Sequence, residues 1–384
     1  MNSNNNNNEN KKIITFDRII RMIKSNNENS KDIVKIDLSD IDADELDEKC
    51  FNTSAFPKLR RIICDNNKLQ ILDKKSFGND FLKHLTFVHF SNNLLTNVNA
   101  IQQMDKLTTL TLSHNKLKEF DSNLLLKNLK NLKALMLDHN LLYGEFVIPQ
   151  ECNQLSVLVI SHNELDTLNV TNINNLKKIS ASSNKFKSIP NVNMHIGLNE
   201  LRLAHNKIKI KNSDSIAIIF NKLVKLNLLD LSSNKIENFE ILLNGLKGTS
   251  KELKNLSIRG NPFCIINDDE DNNKEHTNNN NKILFDELTT IALKYLPNLN
   301  IFNFQNVKRI NNENNIGNKN EETTATTTTT TTTTTASNVN IDKKQTQQQV
   351  NNKLMEKFNR KQILRKKKFN IKKITSTRSI KISK

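Results

Sequence analysis

Leu107-Thr108-Thr109-Leu110-Thr111-Leu112-Ser113-His114-Asn115-Lys116-Leu117 is the stretch on which the fold of this 384-residue chain turns. Its leucines stand at offsets 1, 4, 6 and 11, with Asn115 at offset 9. Leu110 and Leu112 alternate as a short buried strand requires. Asn115 sits where the chain leaves the strand, and there its amide can satisfy backbone groups of a neighbouring coil, which a leucine cannot do.

The spacing recurs from Ile33 to Phe263. A divergent first copy has Ile33, Ile36 and Leu38, with Ile41 in the Asn place. Later copies carry Asn67, Asn93, Asn115, Asn140, Asn163, Asn184, Asn206, Asn234 and Asn261, at steps of 26, 22, 25, 23, 21, 22, 28 and 27 residues. A unit this short cannot bury its own apolar side, so successive units must stack over one continuous core. The shorter steps leave room only for extended or turn segments behind the strand. The longer ones predict helices, at Ser213–Leu223 and Phe239–Leu246.

The pattern resembles the leucine-rich-repeat superfamily. The resemblance implies an α/β solenoid, a curved horseshoe with a parallel β-sheet on its concave face. Gly260-Asn261-Pro262-Phe263-Cys264 resembles the last copy of intracellular members. Leu284, Leu288, Ile291 and Tyr295 on one helical face, followed by Leu296-Pro297-Asn298-Leu299-Asn300-Ile301-Phe302-Asn303, are similar to the C-terminal cap of that group, with Asn303 where the cap usually has Asp.

The expected organisation is an Asn-rich disordered start (1–11), a capping segment (12–30), about ten repeats (31–264), a polar, acidic and Asn-rich insertion (265–282) and a cap (283–310). An Asn/Thr-rich disordered linker (311–349) and a basic tail (350–384) with a short helix complete it. Ile13, Phe16, Ile20 and Ile23 form a helical face suited to covering the open end of the array. The same basic, amphipathic segment also fits a mitochondrial presequence. The insertion, with Asp268-Asp269-Glu270-Asp271, reads either as a charged docking site or as a solvated loop.

Charge sits at one end. The net charge is +17, and residues 341–384 hold 15 Lys and Arg against Asp342 and Glu356. Arg365, Lys366, Lys367 and Lys368 read as a nuclear-localisation or polyanion-binding cluster, or as a solvated tail. Cys50, Cys64, Cys152 and Cys264 are widely spaced, which predicts free thiols in a reducing compartment and an intracellular protein, cytoplasmic or nuclear. No apolar run is long enough to span a membrane.

Catalytic chemistry is not expected. No glycine loop is spaced to cradle phosphate, no Cys/His pattern has zinc spacing, and no cofactor is implied. His114, His139, His162 and His205 each precede a repeat Asn. They read as exposed turn residues or as a pH-sensing or metal-binding ladder.

The resemblance implies a monomeric, non-enzymatic scaffold that holds a protein on the concave face, where offsets 3 and 5 point. Those offsets give a stripe that is apolar for a solvated sheet: Ile63, Phe87, His89, Thr109, Thr111, Met136, Val157 and Val159 are the candidate partner-binding residues. A loop or the N-terminal segment covering the stripe is the competing expectation. Two alternatives stand beside the scaffold: a nuclear or nucleolar protein whose tail contacts RNA or DNA, and a phosphatase-1 regulatory subunit. The latter rests on Lys12-Ile13-Ile14-Thr15-Phe16, which fits a K-x-[VI]-x-F docking pattern.

Overall fold

A computed structural model describes residues 11–48, 50–77, 82–249, 251–264 and 274–307. The described residues divide into two compact units, 11–264 with 292–306, and 274–291 with 307. Of the expected insertion (265–282), residues 265–273 lie outside the described residues, as do the Thr-rich linker and the Arg365–Lys368 cluster, while 274–282 belong to a helix that begins at Lys274.

The first unit is a leucine-rich-repeat solenoid. Its sheet has twelve strands: β2 (Lys35–Asp37), β4 (Arg61–Ile63), β5 (Phe87–His89), β6 (Thr109–Thr111), β7 (Ala134–Met136), β9 (Val157–Val159), β11 (Lys178–Ser180), β12 (Glu200–Arg202), β13 (Leu228–Asp230), β14 (Asn255–Ser257), β15 (Ile301–Phe302) and β16 (Gln305–Asn306). Neighbours from β2 to β15 are parallel and in register, and only β16 returns antiparallel. Two small parallel pairs lie outside it, β1 (Ile13–Ile14) with β3 (Glu45–Leu46), and β8 (Tyr143–Val147) with β10 (Glu164–Asn169).

Register keeps like offsets in rows. Leu59, Leu85, Leu107, Leu132, Leu155 and Leu176 are fully buried, as are Leu110, Leu135, Leu158 and Ile179 on the strands. Burying a leucine or isoleucine side chain is worth about 1.5–3 kcal/mol, so the repeated rows hold the coils together.

The Asn residues form a second row. Asn115 Oδ1 accepts from Leu95 N at 2.9 Å, and its Nδ2 donates to Phe90 O at 2.8 Å and Leu112 O at 3.0 Å. Asn67, Asn93, Asn140, Asn163, Asn184, Asn206, Asn234 and Asn261 make the same cross-coil pattern. Each satisfies backbone groups that the turn strips from the sheet ladder.

The helices are α1 (Phe16–Ser25), α2 (Ser122–Leu126), α3 (Ser213–Phe220), α4 (Phe239–Leu246) and α5 (Lys274–Tyr295). Helices α3 and α4 fall within the two longest repeats, which alone have chain enough for them. Thr15 caps α1, its Oγ1 accepting from Arg18 N at 3.2 Å. The helix therefore begins at Phe16 and buries Ile19 and Ile23, while Ile13 pairs in β1 and is exposed. The expected Ile13/Phe16/Ile20/Ile23 face is thus displaced, because its count began before the cap.

The far end closes through Asn303. After β15, Asn303 and Phe304 take left-handed φ of 48° and 68° and turn the chain into β16, the φ signs of a type I′ hairpin turn. At this point the main chain no longer offers β14 a carbonyl, and Asn303 Oδ1 accepts from Ile258 N at 2.8 Å instead.

Candidate functional site

The strand face is built by the residues between the buried leucines. In register order one row runs Arg61, Phe87, Thr109, Ala134, Val157, Lys178, and the next runs Ile63, His89, Thr111, Met136, Val159, Ser180. Adjacent strands are about 4.8 Å apart, so Ile63 to Val159 spans roughly 19 Å.

Ile63, Phe87, His89, Thr109, Met136, Val157 and Val159 are half-buried. The Arg61 guanidinium lies 4.3 Å from the Phe87 ring centroid, and the His89 ring stacks on Phe87 at 4.4 Å and 17°. His89 Nδ1 is 3.7 Å from Asp65 Oδ2. These contacts pin the aromatic edge of the patch in one geometry, which lowers the entropy lost when a partner docks.

Thr111 departs from the expectation of an exposed contact residue. It is only 7% exposed, and its Oγ1 has no hydrogen-bond partner. The flanking His89 and Met136 side chains, longer than threonine, stand on either side of it in the same row. The face therefore contains a buried hydroxyl at the bottom of an apolar stripe.

Charged rows border the stripe. On one side Lys35 pairs with Asp37 at 3.0 Å, and Ser39 Oγ donates to Asp37 at 2.8 Å; these partners hold the Asp37 carboxyl below its ordinary pKa against the effect of burial. On the other, Glu200 bridges Lys178 and Arg202. A hollow of about 880 Å³ continues from Val159 toward Arg202, Asp230, Ser232 and Arg259.

The four histidines of the turn row sit on the adjoining edge. His114, His139, His162 and His205 have φ of 54–55°. The rings of His114 and His139 stack at 4.0 Å, and those of His139 and His162 at 4.1 Å. Asp138 was not picked out from sequence. It occupies offset 7, beside the histidine, and the repeat phasing that aligned the histidines was the signal that could have found it.

The K-x-[VI]-x-F segment is absorbed by the fold. Ile14 is fully buried in β1, Thr15 caps α1, and the Phe16 ring meets Phe56 edge-on at 6.0 Å. A docking peptide needs those side chains free, so the phosphatase alternative loses its motif.

The four cysteines carry no information about the redox compartment. Cys50, Cys64 and Cys152 are buried and Cys264 half-buried, all as free thiols, and burial pushes Cys50, Cys152 and Cys264 up to about 12. Thiols so suppressed are inert in either redox compartment, so they do not indicate which one the protein occupies.

Residues 57–117 match the family model described as leucine rich repeat. Lumican from Rattus norvegicus is 29% identical over 220 residues, 56% of this chain and 62% of the relative. Osteomodulin from Bos taurus is 26% identical over 194 residues, 49% of this chain and 40% of the relative. The chain thus spans less than two thirds of those relatives. Lumican from Oryctolagus cuniculus is 30% identical over 187 residues, 47% of this chain and 92% of the relative. Lumican and osteomodulin are extracellular matrix proteoglycans, and this overturns the expectation of a cytoplasmic or nuclear protein. Among solved structures, the Toll–Spatzle complex of Drosophila superposes with a TM-score of 0.51 at 24% identity, over 60% of this chain and 32% of that one. The leucine-rich repeat domain of APL1B gives 0.50 at 20% identity, over 63% and 65%. Among the described residues no helix is long and apolar enough to cross a membrane. With the repeat spacing, the Asn row and these relatives in agreement, the chain belongs to the leucine-rich-repeat family.

Proposed function

We propose that this protein is a non-enzymatic scaffold that binds a protein partner on the strand face between Arg61 and Val159. One observation carries the reading: an in-register, half-buried apolar stripe, Ile63, Phe87, Met136, Val157 and Val159, bordered by charged rows at Lys35/Asp37 and Lys178/Glu200/Arg202. An apolar centre within a polar rim is the anatomy of a protein-binding patch.

The face carries side chains suited to contact and recognition, and the border groups Lys178, Glu200 and Arg202 are held in ion pairs with one another. Affinity purification with the full chain, wild type against Phe87→Asp/Val159→Asp, tests the proposal. A protein retained by the wild type and lost from the variant, with circular dichroism unchanged, is expected. Retention of the same protein by the variant contradicts it.

A further inference from the structure

We propose that His114, Asp138 and His139 form a binding site for a divalent late transition metal ion, zinc being the representative case, on the turn edge of the solenoid. One donor atom from each of these three side chains lies within 4.8 Å of the other two. Zinc takes imidazole nitrogen and carboxylate oxygen at about 2.0–2.2 Å in tetrahedral array, which separates neighbouring donors by roughly 3.3 Å. Asp138 Oδ2 and His139 Nδ1 already stand 3.0 Å apart. The His114 ring lies against His139 at 4.0 Å, with the planes 13° apart. Rotation of that one exposed ring brings its nitrogen into the first sphere, and a water completes the fourth position.

The repeat backbone brings these side chains into one row. The residue before each repeat Asn has a left-handed φ, between 51° and 55° from Asn66 to Ser233 and 74° at Gly260. Asparagine and glycine suit that conformation best, and they stand there at Asn66, Asn92 and Gly260. Histidine is, with asparagine and aspartate, one of the side-chain residues enriched there. Placed in consecutive coils at one φ, the rings of His114, His139 and His162 stand side by side and stack.

The surroundings resemble the outer sphere of a metal site. Ser113 Oγ donates to Asp138 Oδ1 at 2.6 Å, which fixes the carboxylate and leaves Oδ2 directed at the histidines. Such hydrogen bonds to a ligating carboxylate hold it in its bound orientation. Asp138 itself is only 19% exposed, so its charge is poorly screened, while the imidazoles open to solvent give an ion its entry path. On the far face of His139 the His162 ring stacks at 4.1 Å. Two imidazoles with one carboxylate favour zinc, copper or nickel over the oxygen-seeking magnesium and calcium.

The test is isothermal titration of zinc chloride into the full chain after chelator treatment. A single saturable site is expected. Asparagine is the substitution of choice at the histidines, because the left-handed turn accepts it. His114→Asn and His139→Asn should each weaken binding at least tenfold, and Ser113→Ala and Asp138→Asn by about 10–100-fold. His84→Asn should leave it unchanged, and magnesium chloride should not compete. Imidazole proton resonances of His114 and His139 should shift on titration while that of His205 does not. Absence of saturable zinc binding, or equal binding by the His114→Asn/His139→Asn variant, overturns the proposal.

Discussion

Asn115 shows how one side chain does the work of a strand neighbour. It closes an acceptor bond with one coil and donor bonds with that coil and its own, all in a buried site. Replacing it by alanine leaves Leu95 N and Phe90 O without partners, and each buried orphan costs roughly 1–3 kcal/mol. Asn115→Ala should therefore destabilise the chain by about 3 kcal/mol, read as a lower urea midpoint. His195 gives a second prediction at this scale. It is fully buried, and burial lowers its pKa from 6.5, with the nearby backbone of Val170 and Asn174 opposing in part. Below 6.5 the unfolded chain binds a proton that the folded chain refuses, so stability is full above that pH and declines as pH falls through it. His195→Gln should flatten the fall of Tm between about pH 7.5 and 5; equal slopes contradict the assignment. The leucine and Asn rows were legible in the sequence because each position has one physical demand. Thr111 was not, because its burial depends on the size of His89 and Met136 in neighbouring coils, which spacing alone does not weigh.

At the level of elements, repeat length decided what stands behind each strand. Helices α3 and α4 occupy the two longest repeats and pack against each other, with Gly245 facing Ile216. A Cβ at Gly245 would fall inside van der Waals contact of Ile216 Cβ and 3.0 Å from Ser213 O. Helix propensity favours alanine over glycine by about 1 kcal/mol, whereas overpacking costs about 1–3 kcal/mol. The clash should win, and Gly245→Ala should lower the urea midpoint; a raised midpoint would show that α3 yields freely. The N-terminal element teaches the opposite lesson about sequence. Ile13, Phe16, Ile20 and Ile23 make a good helical stripe, but Thr15 is a good N-cap, and the cap set the register that buried Ile19 and Ile23. Asn303 likewise meets its acceptor requirement through a backbone turn that only the three-dimensional path reveals.

Across the whole molecule, one parallel sheet converts a linear repeat into a two-row surface. Scaffold and surface separate cleanly: the conspicuous leucines and asparagines are buried, and the variable residues between them set the chemistry of the face. That is why the family was readable from spacing while the compartment was not, since widely spaced core cysteines serve equally well on either side of a membrane. It is also why the stripe's composition could be read off by offset, whereas its charged borders emerged only from ion pairs between coils, such as Lys178 with Glu200. The central claim is that partner binding resides on the strand face between Arg61 and Val159. Its most direct test is the dissociation constant of the purified partner, measured for wild type, for Phe87→Asp/Val159→Asp, and for Tyr143→Asp, an exposed position on the separate β8–β10 pair. Loss of at least one buried anchor worth about 2 kcal/mol predicts a weakening of roughly 30-fold or more in the double variant, with Tyr143→Asp unchanged. Wild-type affinity in the double variant, or loss confined to Tyr143→Asp, would contradict the account.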